Sequence, residues 1–246
     1  MQTVRTNSSH APIILLYGTE GRGKTTLASK FQSSVWLLLE HGLPRGVEVE
    51  AIPGINSYEG TLNALRSIYS EPHQYQTLVI DTVDALEPLI HEYVCADQGV
   101  KHIEQLSFGK GYVLADAKWR HFLGALSAIR TKRNMTVVIV CHATIDRIDD
   151  PRAPSFTSYA PRLHRRARAL CMDAADIIGL LAEDLRVVTD DRGFNERVRA
   201  TSDTRRFLFV EGTPAFSAKN RYEMPAKIAV PRDFDINQLT QHWRTP

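Results

Sequence analysis

The chain alternates continuous apolar runs with amphipathic segments, and this alternation predicts its secondary structure. Continuous apolar runs bounded by turn residues are typical of strands buried on both faces of a parallel sheet. Such runs occupy residues 13–17, 35–39, 77–80, 136–142 and 176–181. Apolar residues at helical spacing predict helices over residues 25–31, 57–69, 85–97, 112–132 and 164–172. This order predicts an α/β fold with a mostly parallel, twisted sheet flanked by helices.

The C-terminal quarter has a different pattern, with shorter stretches of strand-forming residues. Predicted strands cover residues 185–189, 195–200 and 206–210, and a turn covers residues 190–193. Asp235 is predicted to cap a final helix that runs to Trp243. The sequence therefore predicts a β-rich C-terminal part after the parallel sheet.

Composition limits the classes of protein that fit this pattern. The chain has 246 residues and no linker of low complexity, so we expect residues 13–246 to form one domain after a polar segment, residues 1–12. It lacks a signal-peptide pattern and a run long enough to span a membrane, so no membrane partner is expected. Three scattered cysteines and no metal-binding motif favour a reducing, cytoplasmic location without a protein-ligated metal.

The residues after the first apolar run fit the phosphate-loop pattern G-x-x-x-x-G-K-S/T. They are Gly18, Thr19, Glu20, Gly21, Arg22, Gly23, Lys24 and Thr25, and Thr26 follows in the predicted helix. The backbone N–H groups of such a turn bind polyphosphate. Lys24 is expected to bind the β and γ phosphates of ATP, and Thr25 to offer its hydroxyl to Mg²⁺. A chance glycine-rich turn is the alternative, but the flanking strand and helix argue against it.

Three other strands end in polar residues that suit nucleotide chemistry. Asp81 follows the third apolar run, where an acid lies against nucleotide-bound Mg²⁺. Glu40 follows the second run and is a candidate to orient and deprotonate the attacking water; a solvated strand-end acid is the alternative. His142 ends the run over residues 136–142 and is a candidate sensor of the γ phosphate. The alternative is a histidine that makes only local hydrogen bonds and has no role in the site.

Basic residues concentrate in two segments that the pattern predicts to be loops. The composition of residues 98–111 predicts a mobile loop that carries Lys101 and Lys110. Residues 143–163, which contain three prolines, predict a long irregular insertion. Its arginines and those just after it are Arg147, Arg152, Arg162, Arg165, Arg166 and Arg168. Guanidinium groups form bidentate hydrogen bonds with phosphate oxygens, so this stretch could bind a phosphate backbone. The alternative is that these arginines form an ordinary solvated surface.

The order of these motifs resembles the RecA-like ATPases, and more closely the short phage-encoded RecA-core proteins of single-strand DNA annealing and recombination. The resemblance covers residues 13–225 and rests on residues 18–25, 37–42, 78–81, 138–142 and 218–221. It implies a RecA-like fold, ATP and Mg²⁺ as cofactors, and single-stranded DNA as the partner, with a single-strand-binding protein as a further one. In this family the two basic loops line the DNA path.

The resemblance also implies a homo-oligomer, a ring or a filament, with nucleotide at subunit interfaces. Lys219 and Arg221 would then reach the γ phosphate of a neighbouring subunit, and an ordinary surface pair is the alternative. Two departures argue against a filament of the usual build. Only about a dozen polar residues precede the first strand, where recombinases carry a polymerisation element, and no separate C-terminal DNA-gathering domain follows.

The combined expectation is an ATP- and Mg²⁺-dependent ATPase that binds single-stranded DNA during recombination or annealing, in the host cytoplasm if phage-encoded. A second hypothesis is a P-loop motor or switch whose partner is a protein, of the helicase-loader or packaging type. A protein-directed switch should hydrolyse ATP at a rate indifferent to DNA, so that response distinguishes the two hypotheses.

Overall fold

Ten strands form the sheet of the computed structural model, which describes residues 10–40, 42–192 and 195–243, with side chains described outside residues 185–204. The strands are β1 (Ile13–Gly18), β2 (Ser34–Leu38), β3 (Glu50–Ala51), β4 (Thr77–Asp81), β5 (Thr136–Ile148), β6 (Phe156–Pro161), β7 (Ile177–Arg192), β8 (Asn195–Phe209), β9 (Lys219–Asn220) and β10 (Lys227–Ala229). Residues 1–9 of the predicted polar segment and Gly193 of the predicted turn lie outside the described residues.

The described residues also form six α-helices and two 3₁₀ turns. The helices are α1 (Lys24–Ala28), α2 (Tyr58–Ser70), α3 (Val83–Gln98), α4 (Lys110–Arg133), α5 (Arg165–Ala174) and α6 (Asn237–Thr240), and the 3₁₀ turns are Ile103–Gln105 and Ser107–Gly109. Among the helices of the described ranges, none combines the length and apolar character that crossing a bilayer requires.

The strand order is β10-β8-β7-β1-β5-β4-β2-β3, with β6 paired to β5 and β9 paired to β7. The central strands run parallel: β1 pairs with β5 and β7, and β4 pairs with β2 and β5. The C-terminal strands β8, β9 and β10 pair antiparallel. The predicted α/β fold, with a mostly parallel sheet and a β-rich C-terminal part, is therefore confirmed. The order places one strand, β5, between the phosphate-loop strand β1 and the Asp81 strand β4.

Both faces of the sheet are buried, which explains why its strands are continuous apolar runs. On one face, residues such as Leu15, Ile80 and Ile139 pack against α2, α3, α4 and α5. On the other face, Leu16 and Val138 pack against α1 and the C-terminal segment around α6. Helices on both sides therefore leave the ends of the strands as the accessible edges of the sheet.

The helix predictions hold to within a few residues for α2, α3, α4 and α5. Ser57 caps α2 as predicted, because its hydroxyl accepts a hydrogen bond from Gly60 N at 3.0 Å. The final helix is shorter than predicted: α6 has four residues, with Ile236 at its N-cap, although Asp235 still accepts a hydrogen bond from Asn237 N at 3.0 Å.

The prediction of an irregular insertion over residues 143–163 is wrong. Strand β5 continues beyond the sheet to Ile148 and pairs antiparallel with β6, which gives a hairpin over residues 143–161, the β5–β6 hairpin. Its prolines do not interrupt the ladder, because Pro151 and Pro154 lie in the connecting loop and Pro161 is the last residue of β6.

The separate C-terminal strands of the prediction form one long hairpin instead. Residues 177–192 are a single strand, β7, which pairs antiparallel with β8 over almost its whole length. The register shifts once, between Glu183 and Asp184. Leu180 pairs with Tyr17 near the end of β1, so β7 and β8 extend well past the phosphate loop.

Candidate nucleotide site

The phosphate loop joins β1 to α1, and glycine is favoured for different reasons at Gly23, before α1, and at Gly18, the end of β1. Gly23 has a φ of 84°, in the left-handed region, and a Cβ there would collide with the guanidinium of Arg206 from β8. A Cβ at Gly18 would collide with the carbonyl oxygen of Leu181 on β7. The C-terminal hairpin therefore packs directly against the loop and helps to fix its shape.

Lys24 lies inside this turn. Its ammonium donates hydrogen bonds to the carbonyl oxygens of Gly18 and Thr19, at 2.9 and 3.0 Å, and the residue is buried. Burial lowers the pKa of Lys24, and the nearby carboxylates of Asp84 and Asp81 oppose that shift. The side chain is thus held where a β or γ phosphate bound in the loop would meet its charge.

Thr25 and Asp81 lie next to each other, as the sequence predicted. The Thr25 hydroxyl donates to Asp81 Oδ2 at 2.8 Å, and Asp81 is only 4% exposed. Burial raises the pKa of Asp81, although the Thr25 hydrogen bond opposes the rise. The other oxygen, Oδ1, is buried and has no hydrogen-bond partner among the described residues. A hard cation that takes oxygen ligands fits this pair, so the residues are compatible with Mg²⁺.

Glu40 lies at the same edge of the sheet. Leu39 N donates to the carbonyl oxygen of Asp81 at 2.8 Å, which keeps the end of β2 beside the end of β4. The carboxylate of Glu40 accepts a hydrogen bond from the Thr82 hydroxyl at 3.0 Å, and the residue is exposed. The acid is therefore oriented by a neighbour and open to water, as a general base requires.

His142 is held by Asp84, a residue that the sequence analysis did not assign. Asp84 accepts a hydrogen bond from His142 N at 3.0 Å, and its other oxygen is 2.9 Å from His142 Nδ1. Burial would raise the pKa of Asp84, but its hydrogen bonds from the His142 backbone and from Arg162 outweigh burial and hold the pKa below the usual value. The spacing of Asp84, three residues after Asp81, was the available signal, because it places Asp84 in the first turn of α3, close to Asp81 at the end of β4.

Arg162, which the sequence analysis placed among the residues predicted to contact DNA, makes its contacts at this site. Its Nη2 donates to Asp84 Oδ2 at 2.7 Å, and its Nη1 lies 3.6 Å from Glu20 Oε1 in the phosphate loop. Its backbone N also donates to the carbonyl oxygen of His142 at 2.8 Å. Arg162 thus connects the phosphate loop with Asp84 and with the end of the β5–β6 hairpin.

Most of the other arginines predicted to bind DNA form ion pairs with acids. The pairs are Arg147 with Asp149, Arg152 with Asp150, and Arg166 with Asp116. Arg168, from the same basic stretch but not predicted to bind DNA, pairs with Asp146. Arg165, Lys101 and Lys110 are exposed. The β5–β6 hairpin is therefore less cationic than its sequence suggested, because its own carboxylates neutralise much of its charge.

Lys219 and Arg221 contact the amino edge of the sheet, opposite the phosphate loop. The Lys219 ammonium donates to the carbonyl oxygens of Met172, Asp173 and Ala175 at the end of α5. Arg221 pairs with Asp176 at 3.0 Å, just before β7. These contacts do not bring either residue to the nucleotide site of its own chain. Their proposed action on a neighbouring subunit stays a prediction.

A parallel sheet with this glycine turn, the buried Lys24 and the Thr25–Asp81 pair defines a P-loop nucleotide hydrolase. A family model described as an AAA domain matches residues 10–222, and the chain belongs to this family of ATPases. The predicted ATPase activity is therefore confirmed at the level of the family.

One similar protein is the SPbeta prophage-derived uncharacterized protein YorG of Bacillus subtilis (strain 168). It is 24% identical over an alignment of 220 residues, and the match covers 85% of this chain and 64% of that protein. The chain thus spans less than two thirds of the length of this relative.

Proposed function

We propose that this ATPase binds Mg²⁺-ATP and single-stranded DNA and acts in DNA annealing or recombination, like the phage RecA-core proteins that its motifs resemble. The observation that carries the proposal is Phe108, whose side chain is fully exposed between α3 and α4. The same segment holds the exposed cations Lys101 and Lys110. An aromatic ring among cations is the arrangement on which single-stranded nucleic acids stack their bases.

The second predicted DNA segment adjoins the first. The ring of Tyr112, near the start of α4, stacks on His164, just after the β5–β6 hairpin, with ring centroids 4.2 Å apart. Arg166 on α5 also pairs with Asp116 on α4 at 3.0 Å. These contacts join the two segments, which supports a continuous path for a strand past Phe108 and the hairpin.

The β5–β6 hairpin is linked at both of its ends to the nucleotide site. It begins after His142 and ends before Arg162, and both of these residues bind Asp84. Arg162 also approaches Glu20 of the phosphate loop. A change of charge where the γ phosphate binds would act on both ends of the hairpin. This linkage supports DNA binding that depends on the nucleotide state.

The residues of the site suggest how hydrolysis proceeds. Lys24 offsets the charge of the β and γ phosphates, and Thr25 and Asp81 would hold Mg²⁺, which supplies further charge neutralisation when bound. Glu40 takes a proton from a water whose oxygen attacks the γ phosphorus. The bond between the γ phosphorus and the bridging oxygen breaks, and ADP and inorganic phosphate leave.

A protein-directed motor or switch, of the helicase-loader or packaging type, is the second candidate. The observation in its favour is the apolar surface of the β5–β6 hairpin, where Ile145 and Ile148 are exposed. The ion pairs of Arg147 and Arg152 also reduce the positive charge that a DNA-binding hairpin would present. Exposed apolar side chains beside neutralised arginines suit a protein partner better than a phosphate backbone.

Fluorescence anisotropy of a labelled single-stranded oligonucleotide, with Mg²⁺ and a non-hydrolysable ATP analogue, tests the proposal. We expect Phe108→Ala to weaken DNA binding by roughly 5- to 150-fold, the effect of losing about 1–3 kcal/mol of base stacking. Phe108→Trp should retain binding, because it preserves an aromatic face. Val113→Ala is the matched control, since Val113 is also exposed and lies on α4.

Two results would contradict the DNA assignment. Equal affinity of wild type and Phe108→Ala for the oligonucleotide would show that the Phe108 ring does not stack on bases. Absence of binding by the wild-type protein, with ATP analogue binding intact, would favour the protein-directed switch.

A further inference from the structure

A cavity of about 470 Å³ opens beside the phosphate loop, and none of the groups assigned to hydrolysis lines it. Its walls include Gly21 and Arg22 of the loop, Glu183 of β7 and Arg206 of β8. The segment Ala229 to Arg232, at and after the end of β10, completes it. The volume lies in the range of pockets that bind small molecules. The cavity is thus continuous with the loop and large enough for a ligand group.

The position of the cavity relative to β1 indicates which part of a nucleotide it would meet. Glu40, Asp81 and His142 come from β2, β4 and β5, which all lie on one side of β1 in the sheet. The cavity is built from β7, β8 and the end of β10, which lie on the other side. A nucleoside triphosphate has its γ phosphate at one end and its nucleoside at the other. With the γ phosphate beside the hydrolytic residues, the nucleoside points toward the cavity.

The groups that line the cavity suit a base and a sugar. Arg206 Nη1 lies 3.4 Å from the carbonyl oxygen of Arg22, and Arg22 forms an ion pair with Glu183, so the wall is tied to the loop. Val230 is buried and Pro231 is exposed, which gives the cavity an apolar side next to the exposed Arg232. Guanidinium groups stack on aromatic faces, and a carboxylate such as Glu183 accepts hydrogen bonds from ribose hydroxyls.

We propose that this cavity binds the nucleoside, base and ribose, of the nucleotide whose phosphates lie in residues 18–25. The inference rests on the ATPase assignment and adds the residues that hold the other end of ATP. Arg232 is the stacking group, Glu183 is the acceptor for the ribose, and Arg206 joins the cavity to the phosphate loop.

Isothermal titration calorimetry with two ligands tests the proposal. ATP carries a nucleoside and inorganic tripolyphosphate does not, so each protein is titrated with both in the presence of Mg²⁺. Two variants change the cavity: Arg232→Ala removes the stacking group, and Ala229→Trp fills the space. Arg66→Ala is the control, because Arg66 is an exposed arginine on α2 that does not line the cavity.

We expect Arg232→Ala to weaken ATP binding by roughly 5- to 30-fold, the span between an exposed and a desolvated cation–π contact. Ala229→Trp should also weaken ATP binding, because its side chain occupies the space of the nucleoside. Tripolyphosphate binding should stay within about twofold of wild type in every variant. Unchanged ATP affinity in both cavity variants would overturn the proposal, and so would an equal loss for both ligands, which would assign the cavity to phosphates. Failure of the wild-type protein to bind either ligand would instead overturn the nucleotide assignment itself, and the proposal with it.

Discussion

The hydroxyl of Thr25 donates a hydrogen bond to Asp81 Oδ2 at 2.8 Å, and this contact joins the phosphate loop after β1 to the end of β4, two strands away. The second oxygen of Asp81 has no hydrogen-bond partner in the part of the chain that the structure describes. A buried carboxylate oxygen without a partner raises the free energy of the folded protein unless a ligand satisfies it. This is the basis for assigning Mg²⁺ to the pair.

The first prediction is that Asp81→Asn uncouples nucleotide binding from Mg²⁺. The amide removes the charge that holds the cation, so ATP affinity in Mg²⁺ should fall at least about tenfold, or roughly 1.4 kcal/mol. Affinity measured in EDTA should change little, because Lys24 and the loop still bind the phosphates. Calorimetric titration under both conditions checks this, and an equal loss in EDTA would place Asp81 outside the metal site.

Glu40→Gln should retain ATP binding and reduce turnover by about two to four orders of magnitude, the contribution of a general base. The amide keeps the hydrogen bond from Thr82 but cannot accept the proton of the attacking water. A steady-state ATPase assay measures the loss, with Glu48→Gln as the control for an exposed acid on the same connecting segment. Turnover within a few fold of wild type would mean that another group is the base.

Arg221 provides a test of action between subunits. Its side chain is 58% exposed while paired with Asp176, so a neighbouring chain has access to its guanidinium. We expect Arg221→Ala to reduce turnover by roughly three to five decades, the effect of removing an arginine that acts on transition-state charge. A mixture with Lys24→Ala protein should recover part of the turnover, because some mixed interfaces then combine an intact loop with an intact arginine.

Two results would contradict the action of Arg221 on a neighbouring subunit. Full turnover by the Arg221→Ala protein alone would show that Arg221 has no role in hydrolysis and only forms its ion pair with Asp176. Absence of recovery, with association confirmed by light scattering, would mean that Arg221 does not act on a neighbour.

Asp84 should make stability depend on pH in the acid range. The pKa of this carboxyl is lower in the folded protein than in the unfolded chain, because hydrogen bonds from His142 and Arg162 outweigh its burial. Its contribution to stability is therefore complete above the unfolded pKa, near 3.9, and is lost as pH falls through the lower folded pKa. Urea unfolding between about pH 5 and pH 3 should show a smaller pH dependence for Asp84→Asn than for wild type. Parallel curves would contradict the assignment.

The nucleotide site was largely predictable from the sequence because its residues end parallel strands. Gly18, Glu40, Asp81 and His142 each follow a continuous apolar run, and the carboxyl ends of parallel strands converge at one edge. Local spacing therefore determined which residues meet there. Ser57 was predictable for a similar reason, since an N-cap depends only on the helix that follows it.

The contacts that sequence analysis missed are those between residues far apart in the chain. Arg206 reaches Arg22 across 184 positions of sequence, and Arg162 reaches Asp84 across 78. Neither contact has a local pattern, because each depends on how the antiparallel strands return to the sheet. The β5–β6 hairpin was missed for another reason: its prolines suggested irregular chain, although they lie in its loop and at its end.

The proposed function requires that ATP hydrolysis by this protein responds to single-stranded DNA. The most direct measurement is the steady-state rate of phosphate release with and without a single-stranded oligonucleotide, in wild type, Phe108→Ala and the control Val113→Ala. We expect DNA to raise the rate of wild type and of Val113→Ala, and Phe108→Ala to lose most of this stimulation. A rate that DNA leaves unchanged in all three proteins would rule out a DNA-dependent ATPase and favour a switch that acts on a protein partner.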